Sequence, residues 1–447
     1  MNRLFSGLRR RAVSDVSPAK KLAKKLAKTP AKTPAKTPAK TPVQKKAPRI
    51  LFYSHDTFGL GHLRRSTAIA KALVANIPDA SALIATGSPV AGRFALPPCV
   101  DFVRLPGVVK LPDGLYASQN LGLDIDEVAQ LRADLLETAA RSFKPDLLIV
   151  DKEPTGFRGE LAPTLHALRS SSDAKVVLGL RDVLDEPEAL ATEWKRKGAL
   201  PVAENSYDEI WVYGAPEMCN PLAGIAISRN LKSKIHYTGY LPRVAQGDGG
   251  AATLEQPFIL VTPGGGGDGA GLVDWVLSAY ECDPDLRPRA VIVYGPFLSG
   301  DERAAFSARA ENLGKRIEVL TFVSNMEAIQ ERAMGVVAMG GYNTFCEILS
   351  ANKPSVLAPR TKPRREQDIR ALAAEKLGLL RRLDRKASNG APGAMAAAIR
   401  ALANQQPPSI HMPTGFLAGF DTIVVRAKAL LPQYATPSIA TNRENVA

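Results

Sequence analysis

The stretch Met339-Gly340-Gly341-Tyr342-Asn343-Thr344-Phe345-Cys346-Glu347-Ile348-Leu349, followed soon after by Pro363-Arg364-Arg365-Glu366-Gln367-Asp368, governs how the rest of the chain is read. An apolar run over residues 334–339 stops at a glycine pair, and apolar residues recur at helical spacing beyond it. This pattern predicts a strand that meets a helix across a glycine turn. Backbone N–H groups at such a helix start are free, and the helix dipole favours an anion above them. One turn into the helix, Glu347 is placed to reach a pair of sugar hydroxyls.

Working outward, Thr262-Pro263-Gly264-Gly265-Gly266-Gly267-Asp268-Gly269-Ala270-Gly271 stands between a predicted strand (257–262) and a predicted helix (272–282). So many glycines cost stability unless the backbone has a task there. A nest for phosphate oxygens around Gly265, Gly266 and Gly267 is one; a tight turn at the entry to a domain is the other. The segment lacks the GK[ST] ending of a P-loop, which argues against magnesium-dependent phosphoryl transfer.

The same strand–glycine–helix grammar opens the folded body. Ile50-Leu51-Phe52-Tyr53 reads as a strand, and Phe58-Gly59-Leu60-Gly61-His62-Leu63-Arg64-Arg65 leads into a helix over 63–77. Gly59 and Gly61 permit close backbone approach. His62 sits at the helix start, where the dipole favours the neutral imidazole that a general base requires; a histidine merely bonded to the loop is the alternative.

Between these motifs strands and helices alternate. Strands are predicted at 81–86, 101–105, 146–150, 174–180, 209–213, 234–238, 290–294, 317–321 and 355–359, with helices near 125–142, 161–169, 188–196 and 415–431. Such alternation means parallel sheets covered on both faces, and two doubly wound domains in series bind ligands between the carboxyl ends of their strands. The expected division is a basic tail (1–47), a first Rossmann-like domain (48–243), a small-residue linker (244–254), a second Rossmann-like domain (255–412), a helix packing back (413–431) and a frayed end (432–447). Asp151, Glu153, Arg181 and Asp182 follow first-domain strands and are expected to face the cleft, where they could bind or deprotonate a hydroxyl acceptor.

The net charge of +14 is almost all in the tail: residues 1–47 hold fourteen Lys and Arg against the single acid Asp15, leaving about +1 for the remainder. A Lys-Thr-Pro-Ala repeat over 28–41 excludes helix and core alike, so a disordered polycation is expected. It is suited to an anionic membrane face or nucleic acid, or to solvent alone. No run of eighteen apolar residues offers a membrane span, and the expected location is cytoplasmic, with the tail allowing peripheral contact at the inner membrane face. Cys99, Cys219, Cys282 and Cys346 show no metal-ligand spacing and are expected to be buried thiols, so no metal site is expected.

The three motifs, in this order and spacing, resemble the GT-B glycosyltransferases of the family 28 type, which includes the lipid-II-forming N-acetylglucosaminyltransferases of peptidoglycan synthesis. The resemblance covers residues 49–431 and is strongest in the second half. It implies a GT-B fold and transfer of a sugar from a nucleotide diphosphate sugar, UDP-linked as is usual in that family, to a hydroxyl acceptor that in this family can be lipid-linked. Transfer would be metal-independent and inverting, without a cofactor. Glu347 would bind the ribose, Gly340, Gly341 and Thr344 would face the diphosphate, Asn343 would belong to the same donor-binding signature, and Asn325 and Met326 would lie in the segment that holds the base. Gln367 and Asp368 would contact the donor sugar, and His62 the acceptor. The first loop has fewer glycines than that family's, and Asp151-Lys152-Glu153-Pro154 replaces a glycine-rich turn. The same Gly-His loop also resembles nucleotide-sugar hydrolases in which the histidine activates water. A non-catalytic GT-B-like scaffold with a polyanion-binding tail is a reading from a different class.

Overall fold

The computed structural model of the protein describes residues 47–55, 61–93, 96–111, 115–245, 253–254, 257–264, 268–295, 298–321, 323, 325–431 and 434. The basic tail up to residue 46, Gly59, Gly265, Gly266, Gly267 and most of the 244–254 linker lie outside the described residues.

The strands of the first half are β1 (Arg49–Ser54), β2 (Ser81–Thr86), β3 (Val100–Arg104), a hairpin of β4 (Val108–Lys110) and β5 (Tyr116–Ser118), then β6 (Leu147–Asp151), β7 (Lys175–Arg181), β8 (Glu209–Tyr213) and β9 (Ile235–Tyr237). Seven of them form a parallel sheet in the order β3-β2-β1-β6-β7-β8-β9. The second half contributes β10 (Phe258–Thr262), β11 (Arg289–Val293), β12 (Ile317–Leu320), β13 (Gly335–Ala338), β14 (Ser355–Leu357) and β15 (Arg381–Arg382), in the parallel order β12-β11-β10-β13-β14-β15. Helices cover both sheets, so strands such as Leu147-Leu-Ile-Val-Asp151 and Phe258-Ile-Leu-Val-Thr262 are buried along their whole length. That is why they read as continuous apolar runs rather than alternating ones.

Each chain of strands runs outward to one edge, returns to the centre and then runs to the other edge. In the first sheet the return places β6 beside β1, and in the second it places β13 beside β10. These are the topological switch points, where adjacent loops part and open a crevice.

The final helix, Gly419–Leu430, packs on the opening helix, Gly61–Asn76. Arg426 pins it to β8 by donating to both carboxylate oxygens of Glu209, at 2.7 and 2.5 Å. Tyr240 is the apolar centre of the junction: its ring lies 5.1 Å from that of Phe345 and 4.9 Å from that of Phe416. With these contacts Lys46–Ala447 forms one unit.

Several elements escape a periodicity reading. The helices Ala199–Ser206, Gly300–Leu313, Met326–Arg332, Glu366–Lys376 and Pro392–Ala401 are examples. For Gly300–Leu313 the informative signal is its capping box, in which Ser299 and Glu302 satisfy each other's backbone N–H groups. The cysteine expectation is corrected: Cys346 is buried in the core, Cys219 is partly covered, and Cys99 and Cys282 are exposed. Cys99 sits in the turn before β3 and Cys282 ends a helix, positions that face water whatever the residue.

Candidate active site

β1 and β6 run side by side with Tyr53 opposite Val150, so the helix that follows β1 starts above the end of β6. His62 is the second residue of that helix and Asp151 the last of β6. Their side chains meet, His62 Nδ1 lying 2.5 Å from Asp151 Oδ2. Arg65, one helical turn beyond His62, clamps the same carboxylate, donating from Nε at 2.9 Å and from Nη2 at 2.6 Å. Burial alone would raise the pKa of Asp151; the charge of Arg65 and the contact with His62 outweigh it and hold the carboxyl well below the usual range. A carboxylate so fixed accepts the Nδ1 proton and leaves Nε2 as the basic nitrogen, which has no partner among the described residues.

His55, at the end of the first strand–loop junction, lies under this pair. It is buried, its ring centroid is 6.0 Å from that of His62, and its Nδ1 is 3.3 Å from the Tyr53 hydroxyl. Burial, opposed in part by Glu153, drops its pKa to about 3, so it is neutral.

The second switch point carries the other two glycine motifs. Gly340 has φ +84°, and a Cβ there would come 2.7 Å from Leu357 Cδ1, so no other residue fits the turn. It hands the chain through Gly341 to the helix Tyr342–Ser350. Gly264 has φ +85°, and a Cβ built on it would lie 3.5 Å from Thr344 Oγ1, so the start of the glycine-rich loop adjoins this helix. Asn343 reaches across to the first domain, donating from Nδ2 to the carbonyl of Gly61 at 3.4 Å and accepting from Arg243 at 3.3 Å. The two glycine junctions therefore face each other.

Glu347 is buried, and the first domain touches it: Arg64 Nη1 lies 3.2 Å from its Oε1 while Arg64 Nη2 donates to Glu327 at 2.8 Å. Burial raises the Glu347 pKa, with Arg64 opposing. Asn325 accepts from Ala328 N through its side chain and caps the helix that Met326 opens. Gln367 accepts from Arg360 N at 3.2 Å. Asp368 is buried between Arg365, 2.9 Å away, and Arg382, 2.6 Å away, so both its oxygens are engaged within its own domain.

Along the first sheet's edge, Glu153 is buried and bridged by Lys152 at 2.9 Å and Lys197 at 2.7 Å. Asp182 receives Arg370 from the second domain, through Nε at 2.7 Å and Nη2 at 2.6 Å, and the Tyr240 hydroxyl at 2.8 Å. Arg370 also donates to the carbonyl of Gly340 at 3.0 Å, tying the glycine turn to the first sheet. Arg181, at the end of β7, is half-buried beside them.

The structure thus brings His62, Gly61, Asp151, Asn343 and Glu347 around one seam, with Gly340 and Thr344 at its second-domain edge. Sequence reasoning missed Arg64, Arg65, His55 and Arg370 as members. Arg65 carried a signal, since a residue three past His62 shares its helix face. The other three are recruited by tertiary contact alone.

Two parallel doubly wound sheets with facing switch points and a last helix that crosses back define the GT-B class. Residues 258–423 match the glycosyltransferase family 28 C-terminal domain, and the chain has the GT-B fold. An uncharacterized glycosyltransferase of Methanosarcina acetivorans is 24% identical over 248 residues; the match takes in 54% of this chain and 61% of that protein, so only about three-fifths of the relative's length is spanned. Among solved structures, TcCGT1, determined in complex with UDP, superposes with a TM-score of 0.60 at 14% identity, covering 86% of this chain and 99% of that one. MurG of Acinetobacter baumannii gives 0.53 at 14% identity over 84% and 99%. UDP-GlcNAc 2-epimerase of Methanocaldococcus jannaschii gives 0.55 at 11% identity over 85% and 99%. At these identities the structural likenesses show the fold.

Proposed function

We propose that the protein is a glycosyltransferase that moves a sugar from a nucleotide diphosphate sugar, UDP-linked, to a hydroxyl acceptor. The observation that carries this reading is the Arg65–Asp151–His62 relay set opposite the Gly340–Glu347 junction. Asp151 orients the imidazole and stabilises the imidazolium that forms when Nε2 takes the acceptor proton. The deprotonated oxygen then attacks the anomeric carbon from the face opposite the leaving group, which inverts its configuration. Negative charge develops on the departing diphosphate, where the N–H groups of the two glycine junctions and the dipole of Tyr342–Ser350 stabilise it without a metal ion. Glu347 accepts from the ribose hydroxyls once Arg64 gives way or shares it. The UDP in the solved TcCGT1 complex and the family 28 match support the choice of donor.

The test is calorimetric titration with UDP, GDP and dTDP, repeated with Glu347→Ala. Absence of binding, or equal binding by the variant, sinks the donor site. Incubating the protein with donor sugar alone separates transfer from hydrolysis, since rapid His62-dependent release of free sugar favours water as the acceptor.

A further inference from the structure

Arg181 stands out among the cations of the seam. Arg65 is held by Asp151, Arg370 by Asp182, Lys152 and Lys197 by Glu153, and Arg364 by Glu193 at 3.0 Å. The Arg181 side chain makes no hydrogen bond or ion pair among the described residues, and its Nε is fully buried without a partner. The carboxylates in its electrostatic field are Glu366 and Asp182, neither of which bonds to it: Glu366 Oε1 takes Arg360 at 2.8 Å while its Oε2 makes no hydrogen bond, and Asp182 takes Arg370. Burial, with Arg65 adding repulsion, lowers the Arg181 pKa to about 10, which leaves it charged at neutral pH. A guanidinium with no carboxylate bonded to it in a half-buried position is costly, and an anion placed there offsets the cost.

The position says which side of the reaction that anion belongs to. Arg181 ends β7, the strand next to β6, and Asp151 pairs with Gly179 two residues before it. Lys152 lies on the same edge, donates its backbone N–H to Gly179, and feels the charge of Arg181. Both cations therefore stand on the first-sheet wall that carries the His62 relay, Arg181 also feeling the charges of Glu366 and Arg370 from the second half.

We infer that Arg181, assisted by Lys152, forms an anion subsite on the acceptor wall, and that the acceptor carries a carboxylate or phosphate close to the hydroxyl that His62 deprotonates. This rests on the glycosyl-transfer reading and adds the acceptor's chemical class to it. The guanidinium fork takes two oxygens of the anion and so fixes the orientation of the neighbouring hydroxyl.

The full-length protein is titrated with inorganic phosphate, and separately with acetate, at constant ionic strength, with and without saturating UDP. The expected result is that at least one of the two anions binds whether or not UDP is present. Arg181→Gln then weakens that binding roughly ten-fold or more, Arg181→Lys keeps part of it, and UDP affinity changes less than about two-fold. Dependence on Arg181 with phosphate, acetate or both supports the subsite and names its anion. Anion binding that is absent, that is equal in Arg181→Gln, or that UDP displaces overturns it, the last by assigning Arg181 to the donor phosphates. Failure of UDP to bind at all would instead count against the donor reading and leaves the anion titration readable. Thermal unfolding of both variants reports that they are folded.

Discussion

Arg64, on the first helix of the chain, lies 3.2 Å from Glu347, on a helix of the other domain, so the carboxylate read as the ribose ligand is reached by a cation across the seam. The pair has a consequence for pH. Burial raises the Glu347 pKa and Arg64 restrains the rise. Ribose hydroxyls need the ionised carboxylate, so UDP affinity is lost as pH falls, starting above the ordinary carboxylate range. Removing Arg64 lifts the restraint. Arg64→Ala is therefore expected to move the midpoint of affinity against pH upward, read by calorimetry between pH 5 and 8; a midpoint that stays or falls contradicts the assignment.

The His62 relay separates chemistry from folding. His62→Ala is expected to lower kcat roughly 10²- to 10⁴-fold with nucleotide affinity unchanged. Asp151→Asn is expected to lower kcat as well and, because it strands the buried Arg65, to cost about 3–5 kcal/mol of stability. Urea unfolding beside initial rates distinguishes the two variants.

Asp182 and Arg370 are both fully buried and bonded across the seam. Asp182→Ala leaves a buried guanidinium unpaired and is expected to destabilise by about 3–5 kcal/mol. The double variant Asp182→Leu with Arg370→Met removes both charges and should recover much of that loss. Its unfolding midpoint, set against each single variant, measures the coupling; no recovery would mean that the residues act separately.

His55 has a folded-state pKa near 3 against 6.5 for the free side chain. Between those values the unfolded chain binds a proton that the folded protein does not, so stability rises with pH through this window and is lost as pH falls. The slope from this one group is about 1.4 kcal/mol per pH unit. His55→Gln is expected to flatten the stability profile between pH 6.5 and 5, where the depressed carboxyl of Glu153 adds little slope because the unfolded carboxyl is already mostly ionised. Chemical denaturation at several pH values tests it.

Local pattern was sufficient for the alternation of strands and helices, the Gly340–Gly341 turn and the placing of His62 at a helix start, because burial on both faces, backbone freedom and helical spacing are properties of neighbouring residues. Glu347 was legible for the same reason, one turn into a helix after a glycine pair. The partners of those residues were not. His62 and Asp151 are 89 positions apart and meet because the chain returns to put β6 beside β1. Arg64 finds Glu347, and Arg370 finds Asp182, because two sheets pack across a seam. Asp368 reads as a sugar ligand in its motif, yet in the folded chain it sits between Arg365 and Arg382. Charge pairing and burial act through space, and strand order decides which distant side chains share that space.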